Sequence, residues 1–370
     1  MQLVRVLAVF VLAAGLLVTA AQAEVLNKTA TGKPDIKSIN ALGFAPEGVL
    51  LIGDGTASQI LAIETADTKP AGTLSEKIAA IDQKLAARLG VSPRGIEIID
   101  MVVNPASGKA YFAVRKQDDK SYVILTVDGA GKIAEFELDK VNYARIQLVA
   151  GGKGQINLVT DVAWADGRVI AAGRSNEEFA SKIFSIDAPL THDAKSNVYS
   201  AETYHVQHGR WETRAPMSVV IPLKEEGKTY VVGAFTCTPI VKYPIDEIKP
   251  ESVVKGTSMI ELGAGNQPQD MFTYEKDGKT YVLASVVRRR KASGSPYWTV
   301  AFEQALLTGN EKVNEQALRR LGRDNQPATD KIRVIDSFAG VVQMDKLDAK
   351  RALTVRQTNS GFDLEPLALP

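Results

Sequence analysis

The chain has 370 residues, with 44 Lys and Arg set against 43 Asp and Glu, and a single Cys. Such a length is ample for a large core, and one Cys excludes an intramolecular disulfide. A net charge of +1 with no basic stripe and no interleaved aromatics argues against nucleic acid as a partner.

The first residues, Met-Gln-Leu-Val-Arg, lead into an apolar run over 6–20 and then Ala-Gln-Ala at 21–23. A basic start, a short apolar core and a small-residue site are the parts of a secretory signal peptide, with removal expected after Ala23. An uncleaved anchor would need about 20 apolar residues, more than this core supplies. No later segment approaches a membrane span. The expectation is a periplasmic or secreted protein that is one domain over 24–370.

From residue 39 onward a unit recurs: an apolar run, a turn containing Gly, then further β-rich runs separated by polar residues. It appears over 39–65, again from Asp100 past the Gly108 turn to 138, from Asp161 past Asp166-Gly167, from Pro216 past Glu226-Gly227 to Pro244, from Asp270 past Asp277-Gly278, and over 340–369. Each unit reads as a four-stranded meander or most of one. A lone meander cannot bury both faces, whereas radial stacking lets each sheet cover its neighbours. The fold class predicted is all-β, a single β-propeller of six blades with seven as the alternative. The last unit lacks an outer strand, which segment 25–33 is expected to supply. Two helical insertions are expected, one over 73–90 from the capping box Thr73-Leu-Ser-Glu76 to Gly90, the other over 311–321.

Several motifs strengthen this reading: Asn-Pro-Ala-Ser-Gly-Lys-Ala-Tyr (104–111), Ser-Asn-Glu-Glu-Phe-Ala-Ser (175–181), His-Gly-Arg-Trp-Glu-Thr-Arg-Ala-Pro (208–216), Phe-Thr-Cys-Thr-Pro-Ile-Val-Lys-Tyr-Pro (235–244), Glu-Leu-Gly-Ala-Gly-Asn-Gln-Pro-Gln-Asp-Met (261–271) and Gly-Val-Val-Gln-Met-Asp (340–345). Together they resemble a family of exported bacterial β-propeller proteins with no assigned activity. The resemblance implies fold and export and supplies no catalytic residue. The chain departs from that pattern after Ala284, where Ser-Val-Val-Arg-Arg-Arg-Lys follows. More remotely it is similar to YVTN-type and amine-dehydrogenase-type propellers, without a Cys-x-x-Cys-His haem site.

Three groups could carry chemistry. Asn40, Asp100, Asp161 and Asp270 each fall near the predicted start of an inner strand. Converging at a channel mouth, they would offer oxygen ligands to Ca²⁺ or a similar hard cation. The alternative is that such Asp side chains bind backbone N–H groups and hold one blade to the next. His205, His208 and Cys237 are ligand types for a transition metal; a buried thiol and a hydrogen-bonded imidazole are the plainer reading. Arg210, Glu212 and Arg214 alternate on one side of an extended strand, where guanidinium groups could clamp an anion or simply be neutralised by Glu212. No P-loop, nucleophile elbow or dinucleotide fingerprint is present. The expected function is therefore binding: a ligand- or partner-binding scaffold that uses its channel-mouth face, with Arg210, Glu212, Arg214, Cys237, Asn266 and Asp270 contacting a small molecule or a protein. The runner-up is a metal-dependent lactonase- or dehydrogenase-like propeller enzyme using the Asp series, the candidate metal ligands overall being Asp100, Asp161, Asp270, His205 and His208.

Overall fold

A computed structural model describes residues 24–370 apart from 152–153, 207, 237–238, 247–251, 289–294, 310–311, 314 and 323–325. The signal segment and Cys237 thus lie outside the described residues. Strands dominate, as the alternating Val, Ile, Tyr and Thr pattern requires. Two-residue turns at Asp166-Gly167, Glu226-Gly227 and Asp277-Gly278 put both central residues at positive φ (50 and 74°, 50 and 78°, 51 and 72°). That is the turn whose twist matches an antiparallel hairpin, and Gly at its second position avoids the steric cost.

Most strands fall into groups headed by an inner strand, the first to sixth sheets in chain order beginning with Ala41–Ala45, Ile96–Val103, Ile156–Ala165, Met217–Glu225, Asn266–Lys276 and Val341–Lys346. Within each, consecutive strands pair antiparallel outward from the inner strand. The fourth strand of the first sheet is Val141–Gln147, which reaches back past the whole second sheet to pair with Gln59–Glu64. The outer strands of the third and fourth sheets also pair in parallel, joining the two along Ser200 to Thr203 and Val253 to Gly256.

Inner strands contact one another in a closed order: first, third, fourth, fifth, sixth, second, and back to the first. The apolar core divides the same way. One cluster lies between first and third sheets, and others between third and fourth, fourth and fifth, fifth and sixth, sixth and second, and second and first. The arrangement is all-β and β-propeller-like. No helix among the described residues is long and apolar enough to cross a membrane.

Three expectations are corrected. Residues 25–33 do not complete the sixth sheet: Leu26–Asn27 pairs with Leu190–Thr191, and Ala30–Gly32 with Val141 to Tyr143. The sixth sheet keeps three strands, and its outer edge is met by Ile78, which exchanges both backbone hydrogen bonds with Leu364. The Thr73 capping box does not start a helix, because Arg351 takes the Thr73 hydroxyl and the Leu74 carbonyl at 2.8 and 3.0 Å. The helix runs only over Ile81–Arg88. In the span 311–321 the described residues form no helix. Leu318–Arg319 is instead a short strand alongside Ile260 and Glu261, so its backbone groups find tertiary rather than helical partners.

Candidate functional site

The inner strands begin earlier than the sequence suggested, so the Asp series sits in mid-strand rather than at the channel mouth. Asp100, Asp161 and Asp270 each follow a β-bulge, at Ile98/Asp100, Val159/Asp161 and Pro268/Asp270. A fourth carboxylate, Asp345, joins them in the central channel, lining a cavity of about 390 Å³ with Gly43, Val220 and Pro105. Asn40 does not belong to the set; its side-chain oxygen accepts from Gly55 N–H and the Ser38 hydroxyl.

Each of the four carboxylates holds two backbone N–H groups. Asp100 takes Leu42 N and Met101 N at 2.7 and 2.8 Å. Asp161 takes Val220 N and Val162 N, both at 2.7 Å. Asp270 takes Met344 N and Met271 N, both at 2.8 Å, and Asp345 takes Val103 N and Lys346 N, both at 2.7 Å. One bond is local and the other crosses to the adjacent inner strand. All four crossings run in the same rotational sense around the ring. The two remaining joints use other means. The Ser218 hydroxyl donates to Pro268 O at 2.9 Å, and Gly43 lets the first and third inner strands approach so closely that a Cβ there would lie 2.5 Å from Val162 O.

Burial opposes ionisation of these carboxyls, and their mutual repulsion adds to it. Asp100 is raised to about 6, and Asp161 and Asp345 to about 7, in each case by burial first. Asp270 is raised well above the usual range by burial and then by the charges of Asp100, Asp161 and Asp345. The N–H bonds work the other way and favour the anion. The set is a ring of interstrand latches. Asp100, Asp161 and Asp270, expected as oxygen ligands of a hard cation, are placed as interstrand latches, each accepting two backbone N–H bonds.

Residues 210–214 also lie elsewhere than expected. Arg210–Glu212 pairs with Thr203 to His205, on the outermost strand of the third sheet, far from the channel. Arg210 and Arg214 are exposed. Glu212 Oε1 accepts from the backbone N–H of Arg214 and Ala215, both at 3.0 Å, so it caps the turn that returns the chain to the fourth inner strand. His205 and His208 do converge, through a turn closed by His208 N–H donating to His205 O, with ring centroids 4.1 Å apart. His205 is buried against Glu261 (Nε2 to Oε1 3.3 Å), and burial together with His205 lowers the pKa of His208. The described residues hold no group of three or more His, Cys, Asp or Glu side chains placed for a metal. Asn266, expected to touch a ligand, is buried and ties the turn before its own strand, donating to Leu262 O and Gly263 O at 3.1 Å.

What the sequence reading missed is a pocket of about 460 Å³ on the channel-mouth side, between the second, fifth and sixth sheets. It lies over the beginnings of their inner strands and is lined by Ile96, Glu97, Ile98, Gln269, Gln343 and Phe362, together with Asp82 and Tyr297. Gln343 donates its amide N–H to Ile99 O at 2.8 Å, leaving its enclosed Oε1 without a partner. Glu97 is held by Arg115 and by Gln117. No Lys or Arg lines this pocket. Only the bulge-flanking amides Gln269 and Gln343, each preceding an Asp by one or two positions, could have signalled it.

No protein-family model and no curated protein matches the sequence. Among solved structures, an exo-1,5-alpha-L-arabinanase from a bovine ruminal metagenomic library is 12% identical, with 74% of this chain and 93% of that one covered and a TM-score of 0.40. An endo-arabinase from Bacteroides thetaiotaomicron VPI-5482 is 12% identical, covering 73% and 92% at a TM-score of 0.36. Chaetomium thermophilum Raptor is 10% identical, covering 94% of this chain and 29% of that one at 0.37. Likeness at these scores carries no chemistry across.

Proposed function

We propose that the protein is an exported, periplasmic or secreted, six-bladed β-propeller, one domain over 24–370 after loss of residues 1–23, that binds a small ligand at the mouth of its channel. The mouth pocket is the observation behind this reading. Its volume falls within the range of small-molecule sites, about 300–1,000 Å³, and it combines apolar walls with a few convergent polar groups. Those groups are mostly acceptors: the carboxylates of Asp82 and Glu97 and the unpartnered Oε1 of Gln343. A matching ligand is neutral or cationic, bears hydroxyl or amine donors, and lays an apolar face on Ile96, Ile98 and Phe362. The latched channel carboxylates serve the scaffold, so the reading needs no metal.

A thermal-shift panel of monosaccharides, polyols and small amines tests it. At least one class should raise the melting temperature saturably, and filling the pocket with Ile98→Trp or removing the free acceptor with Gln343→Leu should abolish that response. A response from no class, or one that survives in both variants, would remove the pocket from the function.

A further inference from the structure

The joint between the fourth and fifth sheets buries a cation that none of the described carboxylates pairs. Arg320 is 6% exposed. Its backbone N–H donates to Glu261 O and its Nε to Leu262 O, at 2.9 and 3.0 Å, which fixes the guanidinium over the Trp298 ring with Cζ 4.4 Å from the centroid. Its Nη2 is enclosed and has no hydrogen-bond partner. Arg288, at the end of the second strand of the fifth sheet, approaches the same ring at 5.6 Å and spends its Nε on Asn266 Oδ1 at 3.4 Å. The indole N–H of Trp298, itself 9% exposed, is enclosed and unpartnered too.

Elsewhere the chain follows the rule that a buried cation is paired. Lys242 meets Glu225, and Lys182 meets Glu177, each at 2.7 Å. Here two guanidinium groups face one another's field, and none of the described carboxylates neutralises either. Burial and the Arg288 charge push Arg320 down to about 10, still protonated at neutral pH. Attraction to the indole face offsets part of the repulsion but satisfies no N–H. An enclosed donor left unmade is costly, and this corner holds two of them beside two positive charges.

We propose that Arg320, Arg288 and the indole N–H of Trp298 form a binding site for a small oxyanion, a carboxylate or phosphate group, at the joint of the fourth and fifth sheets. The guanidinium fork matches both groups, and half-buried Arg288 is the side from which the anion arrives. Tyr297 lines the mouth pocket while its neighbour Trp298 packs toward the fourth sheet, so the two sites lie on opposite faces of the fifth sheet. This inference therefore stands apart from the proposed ligand pocket.

Trp298 is a built-in reporter. In a Trp164→Phe, Trp211→Phe background, inorganic phosphate and acetate are titrated separately at constant ionic strength against chloride, with Trp298 emission and the melting temperature recorded. A saturable change with either anion, weakened about tenfold or more in Arg320→Met and in Arg288→Met, is expected, the scale of a lost charge-assisted hydrogen bond. Phosphate alone would assign a phosphoryl ligand and acetate alone a carboxylate. If neither gives a saturable change, or if the response persists unaltered in the Met variants, the site is refuted and the Arg pair only braces the turn. Should Arg320→Met fail to fold, Arg288→Met decides alone, since its side chain makes one long hydrogen bond within the fold.

Discussion

Because four carboxyls share the channel, the protein should become more stable as pH falls from about 8 to about 5. An Asp in the unfolded chain titrates near 3.9, whereas Asp161 in the fold is raised to about 7. A raised carboxyl binds its proton more tightly when folded, so its contribution is fully present at acid pH and is lost as pH rises through the folded value. Roughly three units at 1.36 kcal/mol each give ~4 kcal/mol in full, of which about 2–3 kcal/mol falls between pH 5 and pH 8. Asp345 should act alike, and Asp100 more weakly because it is raised only to about 6. His208 opposes the trend, since its lowered pKa disfavours the charged imidazole below its ordinary titration range. A His208→Gln background removes that term. Denaturant midpoints are measured across this window for the parent, Asp161→Asn and Asp345→Asn. At pH 5 each Asn variant keeps one acceptor oxygen but turns its amide NH₂ toward one of the two backbone N–H groups, and should be weaker by about 1–3 kcal/mol. At pH 8 the gap should close or reverse, because the Asn carries no charge into the channel. A parent whose stability is flat or falls toward pH 5, or Asn variants that keep the parent's slope, would refute the argument.

Three substitutions test one of the remaining joints and the peripheral turn. Gly43→Ala places a methyl 2.5 Å from Val162 O at the one joint made by close backbone approach, and should lower stability by about 1–3 kcal/mol or more in urea unfolding. Arg214→Ala, at an exposed position, should stay within about 0.5 kcal/mol of the parent, whereas Glu212→Ala, which uncaps two backbone N–H groups, should cost about 1–2 kcal/mol; equal losses in the two variants would restore a coupled Arg–Glu cluster.

The repeat was legible because hairpin chemistry is local: Asp-Gly and Glu-Gly turns between β-rich runs mark the first and second strands of most sheets without any tertiary information. The order of the sheets was not. Nothing between 66 and 140 indicates that the second sheet lies on the far side of the first, or that Val141–Gln147 returns to it. Asp100, Asp161 and Asp270 were recognised as a set, yet three bulges shift them inward from where alternation places them, and Asp345 was read only as the end of the 340–345 motif. The capping box failed for a tertiary reason, as Arg351 from the last sheet takes both of its groups. Of the Arg210 to Arg214 alternation only Arg210–Glu212 is strand, in a peripheral hairpin, and Arg214 falls in the turn that follows.

These placements meet at one joint. Since the second sheet backtracks, the sixth sheet closes the ring against it, and the contacts that close it link residues separated by most of the chain. Asp345 holds Val103 N, Gln343 reaches Ile99 O, Arg351 clasps Thr73 and Leu74, and Ile78 pairs with Leu364. The mouth pocket straddles this same joint, with Asp82, Pro93 and Ile96 to Ile98 on one side and Val342, Gln343, Val355 and Phe362 on the other. On the proposed function, a ligand seated there would touch both partners of the closing contact, so by linkage its binding free energy would add to ring closure. The 73–90 insertion, which looks like an ornament in the sequence, thus forms both the clasp of the ring and one wall of the pocket.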